Sequence, residues 1–233
     1  VVISKRTALP LLLFSVLSAT GVPAPAQTAV PTFEVKGLNL NVKQDALAGL
    51  ATGTSAFKCS PDRQNYLTTV CESNLEVRTC AVKKSGLPQG MWQQFQDCTT
   101  TYLPASSLTP AMQRMATIGG NQVKLIRISF FDAQASEIIV FHEGKNPGTF
   151  LEAFTQRYGP PTSEVANARD SYDNGITWTR ADETMKLGAA RVVLTNPSVL
   201  TARRQRLEAD REAAKNRANG AREDAAKKAK SDI

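Results

Sequence analysis

Four cysteines, Cys59, Cys71, Cys80 and Cys98, fall within 40 consecutive residues, and the other residues of the chain include no cysteine. An even, clustered count in a chain that reaches an oxidising compartment favours two disulfides. Three pairings exist, and the residues alone do not choose between them. Local loop closure favours Cys59 with Cys71 and Cys80 with Cys98, each loop contributing about 3 kcal/mol in the chain-entropy account. A zinc site is the rival use of four thiols. There is no C-x-x-C pair, and the single histidine, His142, lies well away, so the spacings do not fit the ligand patterns of zinc.

The compartment follows from the N-terminal residues. Lys5 and Arg6 precede an apolar run over residues 8–17, broken by Pro10 and Ser15 and followed by Ala24-Pro25-Ala26. Charge, apolar stretch and A-x-A in that order form the signal-peptidase pattern, and cleavage is expected after Ala26. The run is far shorter than the roughly 20 residues of a spanning helix. No cysteine follows it at the cleavage point, so a lipid anchor is unsupported. The expected mature protein is soluble, and periplasmic or secreted.

The net charge of +7 is unevenly placed. Removing the two basic residues of the leader and the ten of residues 201–233 leaves 28 − 2 − 10 = 16 basic side chains in residues 27–200. The same subtraction for acids, 21 − 0 − 6, leaves 15. The body therefore carries +1 and the tail 10 − 6 = +4. A nucleic-acid interface is disfavoured, because the surplus is interleaved with acids and an exported chain seldom meets nucleic acid.

Periodicity predicts an α+β fold. Residues 32–36 alternate as a short strand. Asn41 caps a helix carrying Val42, Ala46, Leu47 and Leu50, which Gly53 ends. Strands are expected at 56–59, 66–72 and 76–82, with turns at 60–62 and 72–74. Residues 84–110 read as mixed loop and strand, with Trp92, Phe95 and Cys98 as candidates for one buried face. A hairpin is expected over 123–131 and 136–142, then a helix opened by Pro147 with Phe150, Leu151, Phe154 and Tyr158 on one stripe and Gly159-Pro160-Pro161 as its stop. Asp173-Asn174-Gly175 signals a turn before strands at 176–180, 184–187 and 191–195. Each half, 32–110 and 120–196, thus has a strand-like lead, a short helix and about three strands, which puts short helices on one face of an antiparallel sheet. Residues 201–233 are helix-favouring and nearly free of large apolar side chains. Asn219-Gly220 is expected to interrupt them, leaving a solvated, fraying helix or a disordered segment.

Phe33-Glu34-Val35-Lys36-Gly37-Leu38 before the first helix, and residues 151–158 with Gly159-Pro160 at the second, resemble exported tandem α-β-β-β modules. These are the β-lactamase-inhibitor-protein-like modules and the related small lipoproteins of outer-membrane assembly. The resemblance spans residues 32–196 and implies a non-enzymatic binder that grips a partner protein by a sheet face or loops. The chain departs from those lipoproteins in lacking the lipidated cysteine and from the inhibitors in its basic tail, and no individual functional residue carries over.

Candidate chemistry is sparse. His142 beside Glu143 reads as a partly exposed strand-end histidine more readily than as a general base, since no second element of a triad accompanies it. Ser55-Ala56-Phe57-Lys58 matches S-x-x-K, but the serine sits at a turn into a strand, and the S-D-N and K-T-G partners are missing. Phosphate-binding glycine loops, H-E-x-x-H and G-x-S-x-G are absent. A hydrolase using Ser55 and Lys58 is therefore the minority reading, with no cofactor and no metal expected. Trp92 and Trp178 are candidate partner anchors, with core packing as the plainer use. Arg203, Arg204 and Arg206 open a basic arm that can touch an acidic partner or an anionic membrane surface through charge, with salt weakening the contact. A structural envelope protein tethered by this tail is the third reading.

Overall fold

The computed structural model of the chain describes residues 32–84, 86, 94–145, 147–163 and 175–231. The leader, Trp92, Asp173 and Asn174 lie outside the described residues. In chain order the strands are β1 (Lys58–Pro61), β2 (Thr68–Asn74), β3 (Glu76–Lys84), β4 (Gln94–Tyr102), β5 (Thr117–Ile118), β6 (Asn121–Phe131), β7 (Gln134–His142), β8 (Ile176–Arg180), β9 (Glu183–Leu187) and β10 (Arg191–Thr195). The α-helices are α1 (Pro110–Met115), α2 (Pro147–Tyr158) and α3 (Pro197–Ser231).

The expected α+β arrangement is present. Eight strands form an antiparallel sheet in the order β1-β2-β6-β7-β10-β9-β8, with β5 paired to β6, and both halves of the chain contribute to it. Alternation along β6 and β7 places Ile126, Ile128, Ile138 and Val140 on one face, where they meet Phe33, Leu38, Leu47, Met112, Phe150, Phe154, Trp178 and Met185 in one core. Glu137 and Ile139 point to the other face. Burial raises the Glu137 carboxyl above its ordinary range, against the opposing pull of Arg203, Arg191 and Arg127. The start of α3 thus lies against the face of β7 opposite α2, so the long helix does not share a face with the short one.

The expectation for residues 32–55 is corrected. Val35 and Leu38 exchange both backbone hydrogen bonds, 2.8 and 3.0 Å, around Lys36 (φ 55°) and Gly37 (φ 88°). Two consecutive positive φ values make a type I′ turn, which a left-handed glycine favours, so the alternating residues form a turn and not a strand. The helix expected from Asn41 is a single 3-10 turn, Asp45–Gly49, with Leu47 its one buried residue. Such a piece has too few hydrogen bonds to persist alone and is held by Leu47 in the core.

Residues 72–74 likewise belong to a strand. β2 runs to Asn74, then breaks at Leu75, whose N–H donates to the Lys124 carbonyl while its own carbonyl accepts from Leu103. The Asn219-Gly220 interruption is also overturned. α3 continues to Ser231, because a single interior glycine costs about 1 kcal/mol and is outweighed by the alanine-rich turns around it.

The β6–β7 turn has no glycine: Asp132 and Ala133 have φ 47° and 61°. For an L-residue this conformation carries a cost in Cβ contacts. Ala133→Gly is therefore expected to stabilise the protein by about 1 kcal/mol, read as a raised denaturant midpoint. An unchanged or lowered midpoint would show that the turn carries no such strain.

Candidate functional site

β3 and β4 leave the body as a ribbon of two strands. Their nine register pairs run from Glu76↔Tyr102 to Lys84↔Gln94, and among the described residues no third strand pairs with either. Valine and threonine favour extended backbone here, but eight of the nine β3 residues are exposed, so almost no burial supports the ribbon. An isolated hairpin is marginal in water. Two features compensate: Cys80 and Cys98 are direct register partners joined by a disulfide, and nearer the tip Lys83 pairs with Asp97.

Ionisable groups gather at the root of this arm. The Tyr102 phenol is held well above its ordinary range by burial first, then by hydrogen bonds to the Glu143 and Glu76 carboxylates. Lys124 lies 4.0 Å from Glu76, and Lys145 lies 3.0 Å from Glu143. Glu143 also donates its backbone N–H to Gln122 at 3.1 Å. The two carboxylates share a phenol and each has its own lysine, so the cluster is charge-balanced and serves to fix how the arm leaves the sheet.

The cysteine pairing favoured by loop closure is the one observed. Cys59 and Cys71 are also register partners and tie edge strand β1 to β2. All four thiols are thereby consumed, which excludes the zinc alternative and fits an oxidising compartment. No helix among the described residues is long and apolar enough to cross a membrane.

The arm disulfide carries a prediction of its own. Replacing Cys80 and Cys98 together by serine is expected to leave the thermal midpoint of the body within about 2 °C, because β3 packs little against it, while opening the ribbon to limited proteolysis. Protease resistance equal to that of the parent would mean that the ladder alone holds the arm.

The other candidates are not assembled into a reactive group. Ser55 is fully buried, donates its hydroxyl to the Thr52 carbonyl at 3.0 Å, and has its own carbonyl taken by the Ser73 hydroxyl at 2.6 Å. Lys58 is exposed and opens β1 opposite Glu72. The serine is thus a structural link between the 3-10 turn Gly53–Ser55 and β2.

His142 is not partly exposed as expected. It is 2% accessible, stacks on Phe150 at 4.5 Å, and accepts the Gly144 N–H at Nδ1, 3.1 Å, which leaves the proton of the neutral ring on Nε2. Burial, with Lys124 adding to it, lowers its pKa to about 4.

Trp178 is buried and gives its indole N–H to the Gly159 carbonyl at 2.9 Å, so it is a core residue and no partner anchor. Arg203 is half-buried near Glu137, while Arg204 and Arg206 are exposed; Arg206 lies 3.5 Å from Asp210, which also accepts from the Tyr66 hydroxyl at 2.8 Å.

The site missed by sequence reasoning is the arm itself. Its signal was the pair of equal-length strands around Cys80 and Cys98, visible once that pairing is chosen.

The fold and arm together define a disulfide-braced α+β protein, with an eight-stranded antiparallel sheet and a separate two-stranded ribbon among the described residues. Comparison with models of protein families, with characterised proteins and with solved structures found no match to this chain.

Proposed function

We propose that this is an exported, non-enzymatic binding module of the periplasm or extracellular space, and that the β3–β4 arm is its recognition element. The observation that supports the reading is the placement of apolar surface. Val77 and Val82, 38% and 64% accessible, are two of the three exposed large hydrophobic residues among those described, and both lie on β3. A covalently braced ribbon presents such residues in a fixed geometry, which lowers the entropy lost on association.

The test is affinity capture from envelope extract, comparing the mature protein with a Val77→Ser, Val82→Ser variant, at low and high salt with mass-spectrometric readout. Specific partners should fall away with the arm variant and persist at high salt. Undiminished capture by the variant would defeat the proposal.

The tail supports a second reading, a charge-based tether. Residues 211–228 are exposed but for Gly220, and residues 211–231 hold seven basic and three acidic side chains, a surplus of +4. Truncation after Asp210 is expected to leave stability within about 0.5 kcal/mol, since exposed positions far from packing contribute little. If the tether operates, the same truncation abolishes salt-sensitive sedimentation with envelope fragments. If fractionation is unchanged, it does not operate.

A further inference from the structure

The backbone of the arm shows which groups are free for another strand. In an antiparallel pair, residues opposite one another alternate between those that exchange two hydrogen bonds and those that exchange none, and the latter lie closer. The Cα atoms of Cys80 and Cys98 are 4.0 Å apart, which makes them a pair that exchanges none. Leu103 donates to Leu75 at 2.9 Å, one step out of phase, as that parity requires. The even-numbered residues of β3 therefore turn their N–H and C=O groups away from β4. At Glu76 the outward N–H is met by the Asn74 side chain, at 3.0 Å. Beyond it Arg78, Cys80 and Val82 present an edge of the kind that accepts another strand.

We infer that this edge pairs with β3 of a second copy of the chain, antiparallel and centred on Cys80. The inference deepens the arm reading above by naming the occupant. A two-fold axis normal to the ribbon keeps each side chain on its own face, so only residues of equal parity can lie opposite one another. Centring on Cys80 sets Glu76 opposite Lys84 of the second copy at both ends. It also sets Arg78 opposite Val82 and Val77 opposite Lys83. Each exposed valine is then covered by the methylene stem of a basic residue whose head stays in water.

Shifting the centre to Ala81 places Arg78 against Lys84, two like charges, and centring on Thr79 leaves both lysines beyond the paired stretch. Charge complementarity thus selects one register. Lys84 also has a contact within its own chain, so its pairing with Glu76 of the second copy competes with that contact. A nine-residue edge buries less than a standard protein interface, so the pairing is weak and concentration-dependent.

Sedimentation velocity on the full, disulfide-bonded chain, from low micromolar to several hundred micromolar, tests this. The parent should associate to a dimer. Lys84→Glu should weaken association roughly ten-fold, since it sets Glu against Glu twice, and Glu76→Lys added to it should restore association. Because Glu76 also serves the root of the arm, Val82→Pro provides an independent test. It removes an outward N–H and spares the ladder to β4, so the dimer should be lost while protease resistance of the arm is kept.

A parent that is monomeric throughout, or a dimer indifferent to Val82→Pro, would overturn the inference. If the parent stays monomeric and the arm variant still loses partners in the capture experiment, this inference fails while the arm reading stands.

Discussion

Trp178→Ala is expected to destabilise the protein by about 3–5 kcal/mol, the range for deleting a large buried aromatic. The indole is 2% accessible, meets Phe154 edge-on at 5.9 Å, and ties β8 to the end of α2 through its hydrogen bond to Gly159. Truncation would open a cavity where the helix, the sheet and the N-terminal turn meet, and would leave the Gly159 carbonyl without this donor. Phe33, Tyr158 and Arg180 surround the same junction, with the Arg180 guanidinium 5.3 Å from the Phe33 ring and 5.5 Å from the Tyr158 ring. For a chain of this size the loss corresponds to a midpoint roughly 10 °C lower. Trp178→Phe should recover part of it, because a ring contact survives while the donor and part of the buried volume are lost. A Trp178→Ala protein within about 1 kcal/mol of the parent would contradict the core assignment.

The second large effect is on acid stability. In the unfolded chain His142 takes up a proton near its ordinary value of 6.5, whereas in the fold the buried ring stays neutral down to about 4. Between those values the unfolded state binds more protons, so stability is complete above pH 6.5 and falls as pH drops toward 4. Over the whole window this group removes roughly 3 kcal/mol, and below pH 4 it adds nothing further.

Glu137 works in the opposite sense. Its raised carboxyl pKa means that the fold holds a proton which the unfolded chain has already released, so acidification through that range relieves the fold. Urea midpoints measured from pH 7 to pH 4 should decline in the parent. In His142→Phe, which keeps an aromatic ring against Phe150 and removes the titration, that decline should be lost, leaving the opposite trend of Glu137. An identical slope in the two proteins would assign the acid sensitivity elsewhere.

Much of the second half is legible in the amino-acid order alone. Residues 176–180 and 191–195 alternate between turn signals, and they are β8 and β10 with the bounds expected. Pro147 and Gly159 bracket α2, because the first lacks the N–H that a helix start leaves unused and the second takes a φ of 84°. The first half is less legible. Val35, Leu38 and Leu47 satisfy strand or helix periodicity equally well in pieces too short to hold either form, and their burial in the core decides their conformation. Asn219-Gly220 misleads for the opposite reason: a local breaker is outweighed by the helix-favouring residues on both sides of it.

What the amino-acid order carried by itself is local chemistry: which residues can alternate, and that an even, clustered set of four thiols favours two disulfides. What the tertiary structure alone decided is where each strand finds its partners. β2 and β3 are separated only by Leu75, yet among the described residues one is clamped between two neighbours over the core and the other stands in solvent with one. Periodicity reports how a strand's side chains divide between two faces. It carries no record of what lies beyond its edges, because strand pairing is a long-range contact made by backbone groups that nearly every residue shares.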